Sequence, residues 1–245
     1  MKLEICAGTW DSAKAAAEGG ADRIELCSAL SEGGLTPSVG LIKKALSLQH
    51  SLKVHVLIRP RSGDFLYTPD EVEMMAEDIR TAVSLGVDGV VIGALTADGQ
   101  IDVPACKVLV AAAAGVQNIT FHRAFDMCAD PFAALEQIIG LGCNRILTSG
   151  LTSTAVEGIP TLRRLVEAAK DRIIIMPGCG VSPHNARRIL GETGATEIHA
   201  SARSEVHSLM KYTKADVSMG AAGRDEFSRM ETDPALVREI ICRCS

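Results

Sequence analysis

The feature that most limits what this chain can become is a repeat. A short run of apolar and β-branched residues, a polar or glycine-bearing turn and an amphipathic stretch recur about every 28 residues, close to the ~30 of a strand–helix–strand unit. Eight runs mark it: Leu3 to Ala7, Arg23 to Cys27, Lys53 to Arg59, Gly89 to Ala94, Asn118 to Ala124, Arg145 to Gly150, Ile173 to Gly178 and Glu197 to Ala202. Between them, Thr68-Pro69-Asp70-Glu71 supplies a cap, a first-turn proline and early acids. Asp130-Pro131 opens a second stretch in the same way, and Ser182-Pro183 precedes a third that ends near Gly191. Eight parallel units leave an open doubly wound sheet or a closed barrel, and the count of eight predicts an α/β fold, a (β/α)8 TIM barrel. Residues 1–245 then form a single domain, with 203–245 a C-terminal extension that carries a last helix from Asp233 to about Arg243. The polar segment from Lys211 to Asp225 is expected to run irregularly or to cover a barrel end.

Composition narrows the partners. Hydrophobic residues make up 47% of the chain and aromatics only 3%, a mix that suits parallel strands buried under helices. Lys and Arg (25) against Asp and Glu (30) leave a net charge of −5, spread along the chain, so no nucleic acid partner is expected. The longest uncharged apolar stretch, Val108 to Val116, is about half a membrane span, and Glu4 interrupts any export signal. The expectation is a cytoplasmic protein with no membrane partner, whose eight cysteines are reduced.

Alternation along a barrel strand sends apolar side chains outward to the helices and polar ones inward or to the mouth. On that pattern Glu4, Cys6, Glu25, Cys27, His55, Arg59, Thr120, His122, Thr148, His199 and Ser201 point in. Burying so many polar groups is costly without a use. The residues nearest the carboxyl ends of the strands lie where barrel active sites form.

Four constellations follow, each with a plain structural alternative. Cys6 and Cys27, at equivalent places on adjacent strands, suit Cu(I) or another thiophilic metal, or are small core residues. Arg59 and Arg61, in Arg59-Pro60-Arg61-Ser62-Gly63-Asp64-Phe65, could grip a carboxylate or phosphate; equally, Arg61 could pair with Asp64. Gly178-Cys179-Gly180, with Ser201 after the eighth strand, matches the usual barrel phosphate site or is a structural turn. His122 could act as a general acid or base with Glu25 and His199 nearby, or as a satisfied core histidine. No lysine falls inward, which argues against a Schiff-base aldolase.

Several of these segments are also familiar as a set. Gly20-Ala21-Asp22-Arg23-Ile24-Glu25-Leu26-Cys27, Glu32-Gly33-Gly34-Leu35-Thr36-Pro37-Ser38, Ile58-Arg59-Pro60-Arg61-Ser62-Gly63-Asp64-Phe65, Thr120-Phe121-His122-Arg123-Ala124-Phe125-Asp126 and Ile146-Leu147-Thr148-Ser149-Gly150, with Glu226-Phe227-Ser228-Arg229 in the tail, resemble the CutC copper-homeostasis family. The resemblance implies a cytoplasmic homo-oligomer that handles cellular copper and binds Cu(I) through thiols that map onto Cys6 and Cys27. Cys179 departs from the pattern only where a small residue is tolerated. The mouth built from Glu25, Arg59, His122, Arg123, Thr148 and His199 looks more like an enzyme's pocket. The second expectation is therefore acid/base chemistry on a small anionic or phosphorylated metabolite: Glu25, His122 and His199 are catalytic, and Arg59, Arg61, Arg123, Thr148, Gly178, Gly180 and Ser201 bind the substrate.

Overall fold

Strands and helices alternate around one axis. The computed structural model describes residues 1–48, 52–214, 217 and 225–244. Its barrel strands are β1 (Lys2–Ala7), β2 (Arg23–Leu26), β3 (Lys53–Leu57), β4 (Gly89–Ile92), β5 (Asn118–Phe121), β6 (Arg145–Thr148), β7 (Ile174–Pro177) and β8 (Glu197–Ala200). All pair in parallel in the order β7-β6-β5-β4-β3-β2-β1-β8, so the last strand returns to the first and the sheet curls into a (β/α)8 TIM barrel. At the β7–β8 seam the ladder is interrupted, and Pro177 has no amide to give there. The two strands still meet: a Cβ on Gly178 would lie 3.2 Å from the His199 Cβ.

The helices are α1 (Trp10–Gly19), α2 (Val39–Ala45), α3 (Pro69–Ser84), α4 (Val103–Ala112), α5 (Pro131–Gly140), α6 (Ile159–Ala169), α7 (Ala186–Thr193) and α8 (Pro234–Cys244). Their starts follow from local chemistry. Thr9, Ser38, Asp102 and Asp130 accept first-turn amides, and Thr68 with Glu71 forms a reciprocal capping box ahead of α3. The outward residues Leu3, Ile5, Ile24, Leu26, Val54, Val56 and Ile58 are fully buried beneath these helices. Each stabilises the barrel by roughly 1.5–3 kcal/mol on burial.

The strands begin within a residue of the expected positions; β1 ends at Ala7 as expected and the other seven end one to three residues early, which frees their carboxyl-end residues for the mouth. Two features differ from expectation. Helix α7 begins at Ala186, after a turn over 183–185, and not near Ser182. In the tail, β9 (Arg203–His207) and β10 (Ser228–Thr232) form an antiparallel pair. About twenty residues separate these strands, far more than the two to five of a hairpin loop that carries a sequence signal. Much of the segment from Lys211 to Asp225, expected to be irregular, lies outside the described residues. Glu231 ties the pair to the barrel by accepting from Thr9 Oγ1 at 2.5 Å and Ser12 Oγ at 2.6 Å. No helix among the described residues is long and apolar enough to cross a membrane.

Candidate metal and ligand site

Inside the barrel the polar side chains form two tiers. The lower tier is an ionic floor of Glu4, Arg23, Arg145 and Glu197. Arg23 binds Glu4 through Nε and Glu197 through Nη2 at 2.7 Å. Arg145 Nε donates to Glu197 at 2.6 Å, and Arg145 Nη1 donates to Thr120 Oγ1 at 3.2 Å. Two acids meet two guanidiniums, so the floor is neutral as a whole. Burial pushes both carboxyls up, but the arginine charges and hydrogen bonds outweigh it, and Glu4 and Glu197 lie below the usual carboxylate range. His55 shares this tier; burial, opposed by Glu4 and aided by Arg23 and Arg145, brings it down to about 3.

His199 joins the floor to the tier above. Its Nδ1 lies 2.8 Å from Glu4 Oε1 and its Nε2 lies 3.9 Å from Glu25 Oε2. Single ligand atoms of Cys6, Glu25 and His199 all fall within 4.8 Å of one another, and Cys6 Sγ lies 3.6 Å from Cys27 Sγ. This is the one such cluster found among the described residues. The hydrogen bond with Cys27, then burial, pushes the Cys6 thiol well up. Burial alone would lower His199. Hydrogen bonds to Cys6 and Glu4 and the charges of Glu25 and Glu4 overcome it and hold the imidazole well above its usual value. Glu25 is raised by burial and by the charge of Glu4. The cluster therefore stores protons that an incoming cation must displace, as thiol and imidazole ligands do when they bind metal. Glu4 fixes the ring through Nδ1, the arrangement that typically steadies a metal-binding histidine.

A cavity of about 290 Å³ opens over this cluster, lined by Cys6, Glu25 and His199 on one part and by Leu57, Arg59, Phe65, His122, Arg123, Asp126 and Leu147 on the rest. The terminal nitrogens of Arg59 are held by main chain: Nη1 donates to Glu32 O at 2.7 Å and Gly34 O at 3.0 Å, and Nη2 to Gly63 O at 2.7 Å. The loop can wrap it because Gly34 takes φ +89°, and a Cβ there would stand 2.8 Å from Leu57 Cδ2. His122 Nδ1 accepts the Ala124 amide at 3.1 Å, and its ring lies 5.1 Å from that of Phe65. Burial, aided by the Arg59 charge, brings His122 down to about 3.

The structure brings Cys6, Glu25, Arg59, His122, Arg123 and His199 to this cavity, and places the other candidates elsewhere. Cys27 touches Cys6 but is fully buried behind it, packed with Leu57 and Val91. Glu25 is not the partner of His122; it faces His199, and the Ala124 amide orients His122 instead. Arg61 turns away to Glu71 at 2.5 Å and Asp64 at 3.0 Å. Thr148 points outward, on the same side as Ile146, and gives its hydroxyl to Asp126 at 2.5 Å. In the Gly178–Gly180 loop the Gly178 amide is given to Thr148 O at 3.0 Å, and Asn185 braces the turn by accepting the Ser182 amide at 2.8 Å and donating to Gly180 O at 2.8 Å. Gly178 is pressed between Leu147 and His199, and Gly180 lies against Thr154. Ser201 is half-buried beside the tail and accepts from Thr232 Oγ1 through its carbonyl.

Sequence reasoning missed Arg23, Arg145, Glu197, Leu147, Phe65 and Asp126. Stepping back two residues from Glu25 and His199 reaches Arg23 and Glu197, a signal that was present. Arg145 and Leu147 were hidden because Thr148 was used to set the parity of its strand, and a slip of one residue reverses every side chain.

Comparison with known proteins comes to the same fold. The family model described as "CutC family" matches residues 1–204. A CutC family protein of Bacteroides thetaiotaomicron is 53% identical over 94% of this chain and 93% of its own length. The human copper homeostasis protein cutC homolog is 50% identical over 97% of this chain and 87% of its own. A solved CutC structure from Streptococcus agalactiae superposes with a TM-score of 0.78 at 38% identity, covering 82% of this chain and 98% of that one.

Proposed function

Since the chain belongs to the CutC family, we propose that it is a cytoplasmic copper-homeostasis protein that binds Cu(I) in the barrel mouth. The observation that carries the reading is the convergence of Cys6, His199 and Glu25 within 4.8 Å, with the Cys27 sulfur 3.6 Å behind. A soft sulfur beside an imidazole whose other nitrogen is held by a carboxylate suits Cu(I). Cys6 supplies thiolate, His199 supplies Nε2, and Cys27 stands as a second sulfur that a small shift would bring to the ion. Glu25 is close enough to take up or release the protons that binding displaces. Cys106 and Cys143 do not compete: each is a buried thiol pushed up to about 12 outside any such cluster. Self-association, the remaining part of this reading, is supported by the exposed apolar residues Val206, Leu209, Met210 and Tyr212 on and beside β9.

Competition for Cu(I) with a chromophoric chelator under anaerobic conditions tests it. Wild type should take up about one ion per chain. Cys6→Ser and His199→Gln should each weaken binding at least about tenfold, while Cys106→Ser behaves as wild type. Equal affinity in Cys6→Ser and wild type would reject the site.

A further inference from the structure

The wall of the cavity away from the thiols has a chemistry of its own. His122 Nδ1 accepts a backbone amide, so the neutral ring carries its proton on Nε2. That Nε2–H is buried and has no acceptor among the described residues. Arg59, 6% exposed, spends its terminal nitrogens on three main-chain carbonyls, and its Nε is also without an acceptor. Among the described residues no carboxylate forms an ion pair with Arg59, although a buried guanidinium ordinarily has one. Phe65 sets the two groups side by side: its ring lies 5.0 Å from Arg59 Cζ and 5.1 Å from the His122 ring. Arg123 is different, because Asp126 already takes its charge at 2.7 Å.

We infer that the cavity binds a small monocarboxylate, its oxygens received by His122 Nε2–H and the Arg59 charge, and the rest of the molecule laid against Leu57, Phe65 and Leu147. One unanswered positive charge matches one negative one. Glu25 also lines the cavity and would repel a phosphate dianion more strongly than a monoanion. The walls beside the two donors are apolar, which fits an organic remainder. This assignment is independent of the copper reading, since neither Arg59 nor His122 belongs to the thiol cluster.

The test uses the metal-free full-length protein, with acetate, pyruvate and benzoate as probes, inorganic phosphate and pyruvamide as comparisons, and histidine side-chain ¹⁵N spectra as readout. At least one of the three carboxylates should bind saturably and shift the His122 Nε2–H signal. His122→Asn keeps an acceptor for the Ala124 amide, through its carbonyl oxygen, but removes Nε2–H. With an unchanged melting temperature it should bind that carboxylate at least about tenfold more weakly, the size of one lost hydrogen bond to a charged group. Cys106→Ser, outside the cavity, should bind it as wild type does. The inference fails if none of the carboxylates saturates the His122 signal, if phosphate binds more tightly than all three, if pyruvamide binds as well as pyruvate, or if His122→Asn binds unchanged.

Discussion

His122 and His55 are buried histidines that the fold keeps neutral, both brought down to about 3 from an ordinary value of 6.5. The unfolded chain therefore binds protons that the native chain refuses between those two values, and stability falls as pH falls through that window. Each such group contributes a slope approaching 1.4 kcal/mol per pH unit. Below about 4.5 the depressed carboxyls Glu4 and Glu197 add a loss of the same sign, so the histidines are best separated above it. Denaturant titrations of wild type and His122→Asn from pH 4.5 to 6.5 should give a variant flatter by roughly one proton's worth, about 1.4 kcal/mol per unit. Parallel curves would mean that His122 titrates normally in the native state.

At the scale of the element, β6 and the turn after it depend on one carboxylate from the neighbouring unit. Asp126, in the turn that follows β5, accepts from Thr148 Oγ1, the amides of Ser149 and Leu151, and Arg123 Nε. Removing it leaves several donors unsatisfied at once, each worth roughly 1–3 kcal/mol if buried. Asp126→Ala should lower the unfolding free energy by about 2–4 kcal/mol, and Asp126→Asn by clearly less, since an amide oxygen can still accept. An alanine variant within about 0.5 kcal/mol of wild type in urea unfolding would show that the turn holds itself. This element also marks where the sequence was hard to read. Five of the strands show their inward faces by simple alternation, because an outward apolar pair flanks each inward polar residue. In Arg145-Ile146-Leu147-Thr148 both parities contain one polar and one apolar residue, so only the three-dimensional partners of Arg145 and Thr148 decide between them. Arg59 and Arg61 present the same difficulty: two residues apart, they look equivalent until the loop sends one to carbonyls and the other to Glu71.

Over the whole molecule, the repeat accounts for the barrel and the inward acids, bases and thiols account for its unusual interior. The neutral floor of Glu4, Arg23, Arg145 and Glu197 closes the lower half, and through Glu4 it orients His199, so the ionic network serves the site as well as the fold. What the strands could not show singly is which inward residues meet. Cys6 and Cys27 were legible as neighbours, whereas His199 and Glu25 reach Cys6 only because β8 closes against β1 and β2 pairs with its other side. X-ray absorption at the copper edge on the Cu(I)-loaded protein measures that meeting directly. Wild type should show sulfur together with imidazole around copper, Cys6→Ser should lose sulfur scattering, and His199→Gln should lose the imidazole signature. A copper spectrum that neither substitution alters would contradict binding at the barrel mouth.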